Sequence, residues 1–146
     1  MTVRRVTEAD LRGLGWLDEG TRTAVTVGVE AGASRALVLG RPGDAGLIAV
    51  LAVDLPPWRN RTVPWLWLVE VHPQHRGQGV GTALLTEARR RLAMTGHRAV
   101  ELSVDDGNPR AAALYRRLGY EVVGTGNDVG ADGPESWTTM RLSLRP

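Results

Sequence analysis

The sequence predicts an α/β (α+β) fold in which helices cover the faces of one mixed sheet. Two strand patterns separated by a Pro-Gly turn occupy the first half of the chain. The second half alternates strand, helix, strand and helix, and then ends in two more strands. This order of elements favours a mixed sheet rather than a purely parallel one. A chain of 146 residues with 42% hydrophobic and 23% charged residues suits a single domain, 1–146, around one core.

The first elements are a short helix, a longer helix and a hairpin. The stretch "TEAD" from Thr7 has capping-box spacing and predicts a helix from about Glu8. Residues 18–33 alternate like a strand, but their small residues also share one helical face, and we favour the helix. "RALVLG" and "GLIAVLAVDL" flank "RPGDA" and predict an antiparallel hairpin around a Pro-Gly turn.

The middle of the chain reads as loop, strand, glycine turn and helix. "PPWRNRT" is a loop, and "PWLWLVEVH" is a strand with Pro64 at its first position, where proline is tolerated. The three glycines of "HRGQGVGTALL" precede a helix of about fifteen residues that ends near Gly96. The apolar stripe of this helix consists of Val80, Leu84, Ala88 and Leu92.

The last third predicts a strand, a clearly bounded helix and two closing strands. "AVELSV" is the strand, and the helix has Asn108 as N-cap, Pro109 at its first position and Gly119 as its stop. "YEVVG" and "WTTMRLSL" are the closing strands, and we expect the turn-rich "TGNDVGADGPES" between them to form a loop.

The composition excludes several kinds of chemistry. The chain has no cysteine, which removes disulfides, thiolate ligands and a cysteine nucleophile. All eighteen basic side chains are arginine, so a lysine Schiff base and a Walker lysine are also excluded. Three scattered histidines make a metal site improbable. With no apolar run of about 20 residues and no signal-peptide pattern, we expect a cytoplasmic protein without membrane spans.

The charge pattern argues against nucleic acid as the main partner. The formal net charge is only +2. The arginine clusters "ARRRL" and "LYRRL" lie within helical patterns beside apolar residues, without a basic tail or interleaved aromatic residues. We therefore expect a main partner other than nucleic acid.

The glycine turn Arg76–Gly81 has the composition of an anion cradle. Glycines allow the backbone to wrap closely, and the N–H groups at a helix N-terminus point outward toward an anion. A Walker A loop needs a lysine, and neither Gly77 nor Gly79 begins a complete G-x-G-x-x-G pattern. What remains is R-x-x-G-x-G between a strand and a helix. The motif alone fits a pyrophosphate site and a tight structural turn equally well.

Two motifs together resemble the GNAT superfamily of acyl-CoA-dependent N-acetyltransferases. "WLVEVHPQHRGQGVGTALL" is similar to that family's cofactor strand, pyrophosphate loop and helix. About 25 residues later, "NPRAAALYRRLGY" matches its second signature, N-x-x-A-x-x-L-Y-x-x-x-G-[FY]. The resemblance covers about Trp65–Gly124. It implies a mostly antiparallel sheet of six to seven strands with a splayed cofactor cleft, and acetyl-CoA as the acyl-donor substrate without a metal.

The resemblance also implies which residues bind the cofactor. The splayed strand would offer its backbone to the pantetheine and the acetyl carbonyl, and the turn, opened by Arg76, would hold the pyrophosphate. Asn108 matches a position that often bonds the cofactor, although its other role is simply to cap a helix. The implied cofactor-binding residues are Val69, Glu70, Val71, Arg76, Gly77, Gln78, Gly79, Val80, Gly81, Thr82, Asn108 and Tyr115.

The same resemblance makes Tyr115 the general acid, since a phenol can protonate the leaving thiolate; its alternative role is a core tyrosine. The base stays open between Glu70, Glu101 acting through water, and a water route without a dedicated side chain. Relatives that acetylate the N-terminus of a ribosomal protein carry a glutamate where this chain has Ser103. That difference argues against such a substrate.

The resemblance implies that the acceptor is an amine of a small molecule or a peptide. Trp58, Trp65 and Trp67 are candidates for an apolar wall. Three late acids, Asp128, Asp132 and Glu135, are candidates for attracting a cationic amine. We expect an N-acetyltransferase, monomeric or homodimeric, with a non-catalytic CoA-binding sensor or interaction module as the alternative.

Overall fold

The computed structural model describes residues 2–58, 60–130 and 133–144. Within these ranges it contains a seven-stranded sheet, three α-helices and two 3-10 helices. The strands are β1 (Arg4–Arg5), β2 (Ala36–Gly43), β3 (Gly46–Asp54), β4 (Trp65–Val71), β5 (Ala99–Asp105), β6 (Glu121–Gly130) and β7 (Gly133–Ser143). The helices are α1 (Glu19–Ala31), α2 (Val80–Met94) and α3 (Pro109–Arg117), and the 3-10 helices are Glu8–Gly13 and Pro73–His75.

The sheet is mixed, as the sequence predicts. Its spatial order is β1-β2-β3-β4-β5-β7-β6. All neighbouring strands run antiparallel except β4 and β5, which are parallel. The chain reaches β5 from β4 through α2, the kind of crossover that a parallel pair requires.

The parallel strands β4 and β5 meet only at their beginning. Trp65 pairs with Glu101, and the Glu101 N–H donates to the Pro64 carbonyl at 3.0 Å. No further registered pair joins the described residues of these two strands. The strands therefore diverge toward their carboxyl ends, which confirms the expected splayed cleft.

Each face of the sheet has its own hydrophobic cluster. On the face covered by α2 and α3, the core includes Leu84 and Leu92 of α2 and Leu51, Leu102 and Met140 of the sheet. On the opposite face, which we call the α1 face, Val25 of α1 packs with Leu14, Leu17, Val38 and Val50. Helices thus lie on both faces, as the sequence predicts.

A β-bulge shifts the alternation of side chains along β4. Leu68 pairs with Ala52 and Leu66 pairs with Val53, which leaves Trp67 as the extra residue. Because of this bulge, Leu66 and Val69 both contribute to the cluster under α2 and α3, whereas Trp67 and Leu68 both contact the α1-face cluster. The bulge lies where the cleft begins to open, and it reorients the second half of β4.

Most sequence-predicted elements are present, with three differences. The helix expected from Glu8 is a 3-10 helix that begins with the expected capping box. The two-residue strand β1 has no strong sequence signal. The loop expected over "TGNDVGADGPES" is wrong: β6 continues to Gly130 and β7 begins at Gly133, so residues 125–130 and 133–136 belong to the arms of a long hairpin. Ladder hydrogen bonds with a facing strand outweigh the turn preference of the individual residues.

Among the described residues, no helix combines the length and apolarity that a membrane crossing requires.

Candidate active site

The glycine turn forms an open concavity at the N-terminus of α2. Gly77 and Gly79 have φ angles of +76° and +78°, a conformation that other L-residues adopt at a cost. Gly79 is the N-cap of α2, and a Cβ added at either glycine would meet nothing within 4 Å. The turn therefore needs glycine for its backbone conformation, and the space beside it is free for a ligand.

Backbone N–H groups point out of the start of α2. The Ala83 N–H donates to the Gly79 carbonyl at 3.1 Å, which closes the first helical turn. The N–H groups of Val80, Gly81 and Thr82 belong to the first turn of the helix, so no carbonyl within the helix accepts a hydrogen bond from them. Together with the helix dipole they favour a bound anion such as a pyrophosphate.

The carboxyl half of β4 faces the cleft with alternate backbone groups. The His72 N–H donates to the Ile48 carbonyl at 2.7 Å, and Glu70 pairs with Val50. In an antiparallel ladder, every second residue directs both backbone groups at its partner strand. Glu70 therefore bonds toward β3, whereas Val69 and Val71 direct their backbone groups toward the gap beside β5.

Arg76 and Glu70 lie at the mouth of this gap. The Arg76 Nε–H donates to the Val71 carbonyl at 3.2 Å. One terminal nitrogen of Arg76 lies 3.9 Å from the Glu70 carboxylate, and both side chains are substantially exposed. The structure thus brings these two predicted site residues together at the end of β4.

Tyr115 of α3 lies in a mostly apolar setting on the face covered by α2 and α3. Its ring packs against the same cluster as Val69 and Val71, and it meets the Tyr120 ring edge-on at 5.5 Å. Burial raises the pKa of the Tyr115 phenol above its ordinary value of 10. The hydroxyl group is therefore protonated at neutral pH, as a general acid must be.

Asn108 is the N-cap of α3. Its side-chain oxygen accepts a hydrogen bond from the Ala111 N–H at 3.2 Å, and Pro109 occupies the first helical position. The capping role predicted from the sequence is confirmed. Because the cap uses only the oxygen, the amide NH₂ group retains its donors for a ligand.

Glu101 and Ser103 lie on the α1 face of β5. The Glu101 carboxylate accepts from Arg141 Nε at 2.8 Å, across the β5–β7 pair. The Ser103 hydroxyl lies 3.2 Å from the hydroxyl of Thr139. Of the two carboxylates considered as bases, Glu101 is held in a close ion pair with Arg141, while Glu70 makes only the 3.9 Å contact with Arg76 at the open end of the cleft.

The two described residues among the three late acids face each other across the arms of the hairpin. Asp128 pairs with Glu135 across the hairpin, and the Asp128 side chain accepts from the Val129 N–H at 2.8 Å. Asp132, the third acid considered for attracting an amine, lies outside the described residues.

Sequence reasoning missed two charged residues beside the tryptophans. Asp54 ends β3 opposite Trp65, and the Arg61 guanidinium lies 3.6 Å from the centroid of the Trp65 ring. Asp54 is a visible interruption at the end of an otherwise apolar strand, which is a usable signal. Nothing in the local pattern around Arg61 indicates its stacking.

Comparison with known proteins identifies the family of this chain. Residues 10–120 match the family described as "Acetyltransferase (GNAT) family". The chain belongs to this acetyltransferase family. The GNAT family in general uses acetyl-CoA as its acyl donor.

Relatives of known activity or structure support the assignment to the GNAT family. An S-alkylcysteine N-acetyltransferase of Bacillus subtilis (strain 168) is 33% identical over 94 residues, which cover 60% of this chain and 51% of that relative. The chain thus spans about half the length of this curated relative.

Two solved structures share the GNAT fold over nearly the whole chain. The ribosomal-protein-S18-alanine N-acetyltransferase from Escherichia coli has a TM-score of 0.82 at 20% identity, with 99% of this chain and 94% of that chain covered. The ribosomal-protein-alanine N-acetyltransferase from Brucella melitensis has a TM-score of 0.79 at 22% identity, with 98% and 99% covered. At these identities the likeness concerns the fold.

Within the part of the chain that the structure describes, no group of three or more His, Cys, Asp or Glu residues is placed to hold a metal ion.

Proposed function

We propose that this protein transfers an acetyl group from acetyl-CoA to a primary amine by direct attack of the amine on the thioester. One observation carries the proposal: the parallel strands β4 and β5 separate after a single pair, and β4 then leads into a glycine turn with outward N–H groups. A long, thin ligand with a pyrophosphate in its middle fits this shape. The apolar edge of β4 would lie along the pantetheine arm of this ligand, and the glycine turn would bind its pyrophosphate.

The chemistry assigned to the chain's own residues is simple. The amine nitrogen attacks the thioester carbon, the C–N bond forms and the C–S bond breaks. The departing sulfur takes a proton from the Tyr115 hydroxyl, and the amine gives up a proton to a base. Glu70, at the open end of the cleft, is the better placed carboxylate, because its contact with Arg76 is long, at 3.9 Å, whereas Glu101 is held by Arg141 at 2.8 Å. The tyrosine regains its proton through solvent before the next turnover.

Binding is the first test of the proposed function. Calorimetric titration with acetyl-CoA, with NAD and ATP in parallel cells, should give micromolar binding for acetyl-CoA alone. Absence of acetyl-CoA binding would overturn the proposal, because the glycine turn would then serve only the packing of α2.

Turnover is the second test. Release of CoA thiol should depend on an added amine, and the chain has no cysteine to react with the thiol reagent. Acetyl-CoA binding without thiol release, over a broad set of amines and N-terminal peptides, would instead support a CoA-binding sensor or interaction module.

A further inference from the structure

One row of side chains crosses the α1 face of the sheet where β4 and β5 still touch. Asp54 of β3 pairs with Trp65 of β4, and Trp65 pairs with Glu101 of β5. Residues paired across neighbouring strands lie on the same face. The Trp65 ring therefore has a carboxylate-bearing residue on each side, at the base of the proposed acetyl-transfer cleft.

The guanidinium group of Arg61 stacks on the face of the Trp65 ring. The Arg61 guanidinium carbon lies 3.6 Å from the Trp65 ring centroid and 5.7 Å from the Trp58 ring centroid. Arg61 comes from the loop between β3 and β4, where it forms an isolated bridge with Trp58. Aromatic faces attract cations through the ring quadrupole, and two rings sharing one cation form part of a cage.

Asp54 supplies the negative charge of this arrangement. It lies close enough to the Trp67 indole and to Arg61 for both to favour its ionised form. Partial burial raises the pKa of Asp54, because the loss of hydration disfavours the ionised carboxylate more than the Trp67 indole and Arg61 favour it. A partly desolvated carboxylate attracts a cation more strongly than an exposed one.

We propose that one site on this face binds a second positive group of the acceptor, and that this group displaces the Arg61 guanidinium. The site, named the tryptophan site, consists of Asp54, Trp58, Trp65 and Trp67. The inference rests on the proposed function, because it assigns the acceptor to small diamines and polyamines. The reacting amine would lie near the open part of the cleft at Val69. Four residues of extended strand, from Trp65 to Val69, span ~13 Å, and the bulge in β4 shortens this distance somewhat. This distance sets the spacing that we expect between the two amines of the acceptor.

The test compares two ligands that differ only in the second charge. 1,8-Diaminooctane and 8-aminooctan-1-ol have the same length, and their nine-bond span is close to the required spacing. Calorimetric titration of each, on the protein alone and on the protein saturated with CoA, measures binding without requiring turnover. We expect the diamine to bind at least tenfold more tightly. Equal affinity for the two ligands would overturn the inference.

Two variants test the roles of Asp54 and Arg61. Asp54→Asn should reduce the preference for the diamine to less than threefold, whereas Asp44→Asn, in the exposed β2–β3 turn, should leave it unchanged. Arg61→Ala should tighten diamine binding severalfold, because the ligand no longer competes with the chain's own cation. Weaker diamine binding in Arg61→Ala would mean that Arg61 only braces the loop, and the inference would fail.

The outcomes separate this inference from the proposed function. A diamine preference without acetyl-CoA binding would retain the tryptophan site and remove the acetyltransferase proposal. Acetyl-CoA binding with amine-dependent thiol release, but without any preference for the diamine, would retain the acetyltransferase and remove the tryptophan site.

Discussion

Tyr115 is the side chain on which the proposed chemistry depends most directly. It is enclosed by apolar residues, and its neighbour Tyr120 offers a chemically identical group that the mechanism does not use. Burial raises the pKa of both phenols, so both are protonated at the pH of an assay. Any difference between Tyr115 and Tyr120 in their effect on the catalytic rate would therefore come from where each hydroxyl group lies relative to the substrate.

Replacing Tyr115 by phenylalanine should lower kcat by ~100-fold, the usual effect of losing a general acid. The affinity for acetyl-CoA should change little, because the ring remains. The measurement is thiol release at saturating amine, alongside calorimetric titration with acetyl-CoA. Tyr120→Phe is the matched control and should leave kcat within about twofold. An unchanged rate in Tyr115→Phe would remove Tyr115 from its role.

Gly79 and Gly96 lie at opposite ends of α2, and both have positive φ angles, +78° and +89°. Substituting alanine at either position should destabilise the fold by ~1 kcal/mol through backbone strain. Only Gly79→Ala should also weaken acetyl-CoA binding, by tenfold or more, because it disturbs the N–H groups at the helix start. Urea unfolding and calorimetry check the two effects. Equal loss of affinity in both variants would contradict a pyrophosphate site at the turn.

At the scale of elements, the β6–β7 hairpin shows a strand built from residues that prefer turns. Gly126 pairs with Trp137, and an added Cβ at Gly126 would lie 2.4 Å from the tryptophan ring. The ring thus lies directly over the glycine backbone and fills the place of its missing side chain. Sequence patterns within a strand cannot show such a contact, because its partner is eleven residues away on the facing arm.

Gly126→Ala should therefore displace the Trp137 ring and destabilise the protein by ~1–2 kcal/mol. Gly124→Ala is the matched control on the same strand, since an added Cβ there meets nothing within 4 Å. Its effect should remain within ~0.5 kcal/mol. Urea unfolding followed by tryptophan fluorescence measures both. Equal effects of the two substitutions would show that Trp137 does not lie over Gly126 in solution.

At the scale of the whole molecule, a charged clamp fastens the first 3-10 helix to the edge strand β1. Arg4 of β1 makes two hydrogen bonds with Asp10, at 2.7 and 2.9 Å, and Asp10 also accepts from the Thr7 N–H. The Arg4 guanidinium, supported by Thr7, lowers the pKa of Asp10 from 3.8 to about 2. Folding thus favours the ionised form of Asp10.

The sign of the pH dependence follows from this lowered pKa. The clamp contributes fully above the unfolded-state value of 3.8, and its contribution is lost as the pH falls through about 2. We expect a loss of ~1 kcal/mol, because solvent around Arg4 screens the pair. Urea unfolding at pH 6 and at pH 2.5 measures it. Asp10→Asn should show a smaller acid-induced loss than the wild type, whereas Glu8→Gln should behave like the wild type.

The sequence predicts the molecule best where local chemistry decides the structure. Helix α3 is bounded by an N-cap, a proline and a glycine, and the structure places it as predicted. The splay of β4 from β5 came from the family resemblance, since no local pattern states where two distant strands separate. The stacking of Arg61 on Trp65 was not predicted, because it depends on how the β3–β4 loop folds back over the sheet.

The single pair between Trp65 and Glu101 divides the sheet into two contiguous stretches of chain. Strands β1–β4 all precede α2, and strands β5–β7 all follow it. The strand pairing is therefore divided into two sequential groups joined by one pair, although the hydrophobic core under α2 and α3 spans both groups, and the loop after α2 is a natural point of division. Fragments cut there would each retain their own strand pairing. A ligand inserted between β4 and β5 would bridge them, so fragment reassembly could report on its presence.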